Sequence, residues 1–199
     1  MRVLVGCEFS QVVAQAFRER GHDAYSCDIL PTEGNPDWHI CGDVLDIIDD
    51  DWDIGIFHPP CTFLANSGVQ HLYRDYTRWC KLADARKFFL SLYNSEIPKV
   101  CIENPVPHCF ADLPRYTQII QPYQFGHEIQ KRTCLWLRGL NPLKPTNVVG
   151  KGENYFDKNG NSNGSKWYQL APSVDRWKYR SRTFEGIAAA MADQWGYYD

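Results

Sequence analysis

Residues 2–28 read RVLVGCEFSQVVAQAFRERGHDAYSCD, and this stretch decides the fold class. Arg2–Gly6 is a short apolar run, rich in β-branched residues, that ends in glycine, the pattern of a buried strand running into a tight turn. Ser10–Arg20 sets Val12, Val13, Ala16 and Phe17 on one side of a helix. Ser10 is its expected N-cap, and Gly21 stands just past its end. Asp23–Cys27 then reads as a second strand closing at Asp28. Strand, turn, helix and strand within about 30 residues open a doubly wound, mostly parallel α/β sheet.

Further along, Trp38–Cys41 predicts a short strand ending at Gly42-Asp43, and Asp53–Phe57 a buried strand running straight into His58-Pro59-Pro60-Cys61. Residues 78–94 predict a helix with Trp79, Leu82, Phe89 and Leu90 near one stripe. Lys99–Ile102 predicts a strand ending at Glu103-Asn104-Pro105. A short helix is expected over Leu113–Ile120, and a terminal strand pair from Tyr123–Phe125 and Thr133–Leu137. From Asn141 to Trp177 the pattern breaks into Gly, Asn, Pro and Lys, read as an irregular insert, before an Ala-rich helix over Phe184–Trp195. The expected organisation is a Rossmann-like domain from residues 1–140 and 180–199, carrying a short basic and aromatic insert at 141–179. In such a sheet functional side chains gather at the carboxyl ends of strands. Asp28, Asp43, Pro60-Cys61 and Glu103-Asn104 stand there.

The chain has 199 residues, 44% hydrophobic and 23% charged, which excludes a disordered polymer. No run of eighteen apolar residues offers a membrane span. Glu8 and Gln11 interrupt the first apolar run before a signal-peptide core could develop. Eight cysteines occur without a Cys-x-x-Cys pair, so they read as reduced thiols of a cytosolic protein, and no metal site is expected. The net charge of −3 conceals an asymmetry. Lys131 to Arg182 holds eleven Lys and Arg against Glu153, Asp157 and Asp175, whereas residues 1–130 hold ten against eighteen acids. A basic segment on an acidic protein suggests a polyanionic partner held on one side.

Cys61 follows a strand and two prolines that fix the backbone, so its thiol is expected to project from a strand end. Glu103 closes the next core strand. A thiol and a carboxylate facing one pocket suit attack on an aromatic ring with protonation of a ring nitrogen. The order of these motifs resembles the cytosine-C5 DNA methyltransferase family, specifically its compact phage-type members. Pro60-Cys61 matches the family's Pro-Cys, Ser67-Gly68 its Ser-Gly, and Glu103-Asn104 its Glu-Asn. Asp28 matches the acid after the second strand, and Gly42-Asp43 the Gly-Asp after the third. The likeness runs in order over residues 1–138, and Arg180–Ala188 resembles the family's last motif.

The resemblance implies a class I S-adenosylmethionine-dependent methyltransferase of bacterial or phage-infected cytoplasm, acting on a flipped-out cytosine in DNA. Cys61 would add to C6 of the ring, Glu103 would hold its N3 and N4 edge, and Arg132 would complete the catalytic set. Gly6, Cys7, Glu8 and Phe9 of the first turn, with Asp28, Ile29, Asp43, Val44 and Pro60, would bind S-adenosylmethionine. Asp28 would take the ribose hydroxyls and Asp43 the adenine amino group. Pro59, Thr62, Asn66, Ser67, Asn104, Lys131, Lys166, Trp167, Arg180 and Arg182 would face the base or the DNA, with Tyr168 as a further stacking ring. The chain departs from the family in keeping one glycine, Gly6, in its first turn. The methionine end of the cofactor would therefore meet Glu8, Phe9 and Ser10. Cys134 stands where a second family arginine is usual, and Thr62 where glutamine is usual. The short insert in place of a full target-recognition domain implies a short or degenerate site.

Other readings keep part of this pattern. His58-Pro59-Pro60-Cys61 also resembles the Asp-Pro-Pro-Tyr pattern of exocyclic-amino methyltransferases. The same fold could act on free nucleotide, RNA or single-stranded DNA, or transfer a modified group. A catalytically silent DNA-binding protein is the alternative from another class.

Overall fold

Period-two alternation sorts the strand residues onto two faces of a sheet. In β1 (Arg2–Gly6), Val3 and Val5 join one core and Leu4 the other. In β4 (Ile54–Phe57), Ile54 and Ile56 side with the valines and Phe57 with Leu4. In β5 (Lys99–Pro105) and β7 (Thr133–Arg138) the split continues, Cys101, Leu135 and Leu137 against Val100, Ile102 and Trp136. The first face is covered by α1 (Val12–Arg18) and α4 (Glu185–Trp195), which bury Phe17, Met191 and Trp195. The second is covered by α2 (Thr77–Tyr93), whose Phe89 meets Trp136 edge-on at 5.0 Å. The structure, a computed structural model, describes residues 1–156, 158–159, 162–165, 167, 173 and 176–197.

β2 (Asp23–Asp28), β3 (His39–Cys41) and β6 (Gln118–Ile120) complete a seven-stranded sheet in the order β3-β2-β1-β4-β5-β7-β6. The first five strands in that order pair in parallel, and β7 runs antiparallel to both β5 and β6. This is a doubly wound, mostly parallel Rossmann-like α/β sheet with an antiparallel strand near one edge. Because parallel strands return through crossovers that cover both faces, all five parallel strands end at one edge of the sheet. Two partly buried polar anchors tie that frame. The Arg138 guanidinium donates to the carbonyl of Tyr93, the last residue of α2, and to those of Ser95 and Ile97 just beyond it, and the Trp195 indole donates to Asn141 O at 3.0 Å.

Three local expectations are corrected. Residues 113–120 form no helix: Pro114 interrupts it, and the β-branched Ile119-Ile120 join β6 beside β7. Tyr123 is not in a strand but in a 3-10 turn, Pro122–Gln124, with a reciprocal Gln121/Gln124 cap; the pairing expected of it passes to β6. The insert is not wholly irregular, since β8 (Asn154–Phe156) and β9 (Ser162–Ser165) pair antiparallel and α3 (Arg176–Ser181) follows. Its polar composition shows no alternation because that hairpin lies outside the main sheet. Among the described residues no helix is long and apolar enough to cross a membrane. Nor do three His, Cys, Asp or Glu side chains among them gather as a metal ion would require.

Gly6 ends β1 where the sheet opens, and a Cβ there would stand 2.6 Å from the Phe57 ring and 2.7 Å from Val44. Both neighbours are buried and cannot give way freely. Gly6→Ala is expected to cost about 1–3 kcal/mol, read as a lowered urea midpoint with an unchanged slope.

Candidate active site

The turn after β1 is built without the glycines its geometry invites. Cys7 and Gln11 both take left-handed conformations, φ 58° and 60°, a region that favours glycine. Side-chain bonds hold the bend in place. The Gln11 amide donates to Asn35 O at 2.7 Å, and Arg18 donates to Gln11 Oε1 at 3.0 Å. Gln11, not Ser10, occupies the N-cap position of α1. The capping work falls to Glu8, whose buried carboxylate accepts from Val13 N at 2.7 Å and Ala14 N at 3.2 Å. Ser10 instead donates to Glu8. Burial raises the Glu8 carboxyl above its ordinary pKa, against the opposing charge of His58 and these backbone donors.

At the ends of β2 and β3, Asp28 Oδ1 accepts from Leu30 N and Asp43 Oδ1 from Leu45 N. Each carboxylate keeps acceptor capacity for a ligand. Ile29 is exposed and Val44 buried beside Gly6. Burial pushes the Cys7 thiol pKa up, and the charges of Asp28 and Asp43 add to it. The turn and both acids therefore share one corner of the edge.

The neighbouring corner holds Cys61 and Glu103. His58 N donates to Gly6 O at 3.0 Å and extends the β1–β4 ladder by one residue, so the two prolines start just past it. Pro59 is buried and Pro60 exposed. The Cys61 carbonyl accepts from Leu64 N and Ala65 N, opening a single helical turn. That turn is stitched to the chain beyond β5: Asn66 N donates to Val106 O and His108 N to Leu64 O. The buried Asn104 amide donates to Pro59 O at 2.8 Å. Thr62, Asn66 and Ser67 are exposed. Gly68 is needed because a Cβ there would lie 2.5 Å from Thr62 O.

Cys61 is half-buried. Burial and the nearby Glu103 charge raise its thiol pKa, while Lys131 and Arg180 oppose them. Glu103 Oε2 pairs with His58 Nδ1 at 2.9 Å, with the two side chains only 12% and 8% exposed. Burial disfavours ionisation of both. The hydrogen bond and mutual charge outweigh it, so Glu103 sits below the ordinary carboxyl value and His58 above the ordinary imidazole value. Lys131 further favours the Glu103 carboxylate.

The segment from α3 to α4 closes over the first turn. Trp177 meets the Phe9 ring at 5.6 Å, and Arg182 and Lys178 both pair with Glu33. Ser181 and Thr183 face Cys7, Glu8, Phe9, Ser10 and His58 across a narrow cleft. A larger shallow depression lies along α2, between Arg86 and Asn94, away from these strand ends. Lys131 Nζ donates to Arg180 O at 3.2 Å. Arg132 is exposed, and its charge acts on Cys134 rather than on Cys61 or Glu103. Trp167 is half-buried against Phe184, with ring centroids 5.3 Å apart. Lys166 and Tyr168 lie outside the described residues.

Ser181 and Thr183 belong to Arg180–Ala188, the segment that resembles the family's last motif, though neither stands among the predicted site residues. His58 enters the sequence reading only through its Pro-Pro motif; a histidine directly after four buried strand residues is the signal that marks it.

No family model matches this chain, and no curated protein matches it. Solved structures similar to it include a candidate DNA modification methyltransferase encoded within an E. coli prophage. That likeness has a TM-score of 0.46 and 12% identity, and covers 75% of this chain and 52% of the other. The Entamoeba histolytica methyltransferase EhMeth aligns with a TM-score of 0.43 and 17% identity, over 81% of this chain and 61% of its own. The chain thus spans about half to three fifths of the length of these structures.

The buried pair makes stability depend on pH with a defined sign. The lowered Glu103 contributes stability above its ordinary value of 4.5, lost as pH falls through its depressed folded value. The raised His58 contributes below 6.5, and this is lost as pH rises through its raised folded value. Denaturation midpoints should therefore fall above pH 6.5 more steeply in the wild type than in Glu103→Gln. Equal slopes would show that the pair does not titrate with folding.

Proposed function

We propose that the protein transfers a methyl group from S-adenosylmethionine to C5 of a cytosine in DNA through a transient Cys61–C6 bond. One observation carries this reading. A half-buried thiol and a buried, ionised carboxylate stand at adjacent strand ends, within electrostatic reach of each other. The donor set along the same edge fits the cofactor. Asp28 and Asp43 suit ribose hydroxyls and an adenine amino group, and the cleft beside Glu8, Ser10 and His58 suits the amino-acid end. Gly6, Cys7, Phe9, Ile29, Val44 and Pro60 would line its path. When bound, S-adenosylmethionine supplies an electrophilic methyl group.

The chain's own residues prepare the ring. C5 of cytosine is a weak nucleophile until something adds to C6. The Cys61 thiol first loses its proton, a loss favoured by Lys131 and Arg180 and resisted by burial and Glu103. As the Sγ–C6 bond forms, the C5=C6 pair shifts to C4–C5, the C4=N3 pair moves onto N3, and N3 takes up the proton that the thiol released. Glu103 accepts from the N4 amino group and stabilises that proton, its orientation fixed by His58. Once C5 carries the methyl group, its proton passes to water, the C5–H pair restores C5=C6 as the Sγ–C6 bond breaks with its pair on sulfur, and N3 returns its proton to the thiolate. The target base must leave the stack to reach this corner. Lys131, Arg180 and Arg182, with Lys166 and Trp167, provide charge and ring surface for the strand.

The burial of His58 against Glu103 weighs against the exocyclic-amino reading, which would need that position to face the base. A duplex carrying 5-fluorocytosine, incubated with S-adenosylmethionine, should form a covalent complex stable to denaturing electrophoresis. Cys61→Ser should abolish the complex while leaving S-adenosylhomocysteine binding unchanged. Methylated product without any trapped complex would refute attack by Cys61.

A further inference from the structure

We infer that Tyr73, Tyr76, Trp79 and Phe110, with the cations around them, form a platform on which unpaired bases of a DNA strand stack, so that a single-stranded target is taken in preference to a closed duplex. This rests on the proposed function, which makes DNA the substrate. Tyr73, Trp79 and Phe110 meet one another edge-on, with ring centroids 5.5–6.2 Å apart, an arrangement that ring quadrupoles favour. Yet Tyr73 is 67% exposed, and Tyr76 at the start of α2 is 83% exposed. A cluster of large rings left in water marks a binding surface. α2 follows β4, and the 3-10 turn Cys109–Ala111 follows β5, so the platform lies at the edge that holds Cys61 and Glu103. Phe63, two residues past Cys61, joins it to that turn. The Arg78 guanidinium stands 4.8 Å and Lys81 Nζ 5.9 Å from the Phe63 ring centroid, both within cation–π reach.

Charge identifies the occupant. Residues 71–87 carry five Lys and Arg against Asp75 and Asp84, whereas the rest of residues 1–130 carries five against sixteen acids. Asp75 is engaged locally, accepting from Thr77 N and Oγ1. Arg74 and Lys81 are exposed beside the rings. A basic patch set in an acidic half of the chain selects a polyanion. Rings among those cations select a polyanion whose bases offer free faces. A closed duplex offers this surface only phosphates, because its base faces are covered by the stack. A protein partner would also use Tyr, Trp and Arg, but the continuity of the platform with the Cys61 turn favours the strand that enters that corner.

Fluorescence anisotropy with a labelled thymidine oligonucleotide, alone and annealed to its adenine complement at the same salt concentration, tests this without a target cytosine or a methyl donor. Wild type should bind the single strand about tenfold more tightly than the duplex. The double variant Tyr73→Ala/Tyr76→Ala should lose about 5- to 100-fold on the single strand, the scale of stacked bases, and keep its duplex affinity. A strand carrying 5-iodouracil, irradiated with wild type, should cross-link to Tyr73, Tyr76 or Trp79. That map decides the matter if the variant does not fold. Equal losses on both DNAs, an unchanged Kd for the single strand, or cross-links confined to residues 131–182 overturn the inference and leave the proposed function standing. So does a wild-type dimer in sedimentation that the double variant splits, which would assign the rings to a second copy of the chain. Platform binding of the thymidine strand, with no 5-fluorocytosine complex on any DNA, overturns the proposed chemistry alone.

Discussion

A hydrogen bond from His58 to Glu103 joins the ends of β4 and β5, with both side chains almost wholly buried. Removing two charges from water is expensive, and only close pairing with further support makes it tolerable. Here the support comes from several directions. Lys131 favours the carboxylate, Glu8 favours the imidazolium, and Asn104 ties β5 to the Pro59 carbonyl just beyond His58. The pair therefore fixes both the direction of Glu103 and the starting point of the Cys61 turn. A loss of either partner would strand the other charge inside the protein, so the site and the local fold stand together.

Sheet topology explains which cation reaches this corner. β7 runs against β5, and Thr133 pairs with Pro105. The residues entering β7 consequently sit at the same edge as the carboxyl ends of the parallel strands. Lys131, two positions before Thr133, acts on Cys61, Glu103 and His58, whereas Arg132 faces solvent. A β7 running parallel would have carried both to the far edge.

The first turn shows how a fold accommodates an unusual sequence. Left-handed backbone at Cys7 and Gln11 costs about 1–3 kcal/mol per residue, and the Gln11 anchors and the Glu8 cap offset that cost. The outcome is a turn whose helix start is already satisfied from within. The α3–α4 segment then packs across it through Phe9 and Glu33, so the basic region begins directly beside the cleft.

The sequence alone determined the order of strands and helices, because buried β-branched runs alternating with apolar helical stripes admit a doubly wound sheet and little else. It also determined which residues stand at strand ends: Asp28, Cys61 and Glu103 follow buried strands, and Asp43 follows the short, partly exposed β3. Where runs were short the reading failed. Leu113–Ile120 carried apolar residues at helical spacing around a proline, and only pairing with β7 made its end a strand. Partnership was likewise invisible. Nothing local says that His58 pairs with a residue 45 positions away, that Glu8 rather than Ser10 caps α1, or that Lys131 rather than Arg132 faces the thiol. Those facts depend on strand adjacency and side-chain direction, which the chain acquires only when the sheet closes.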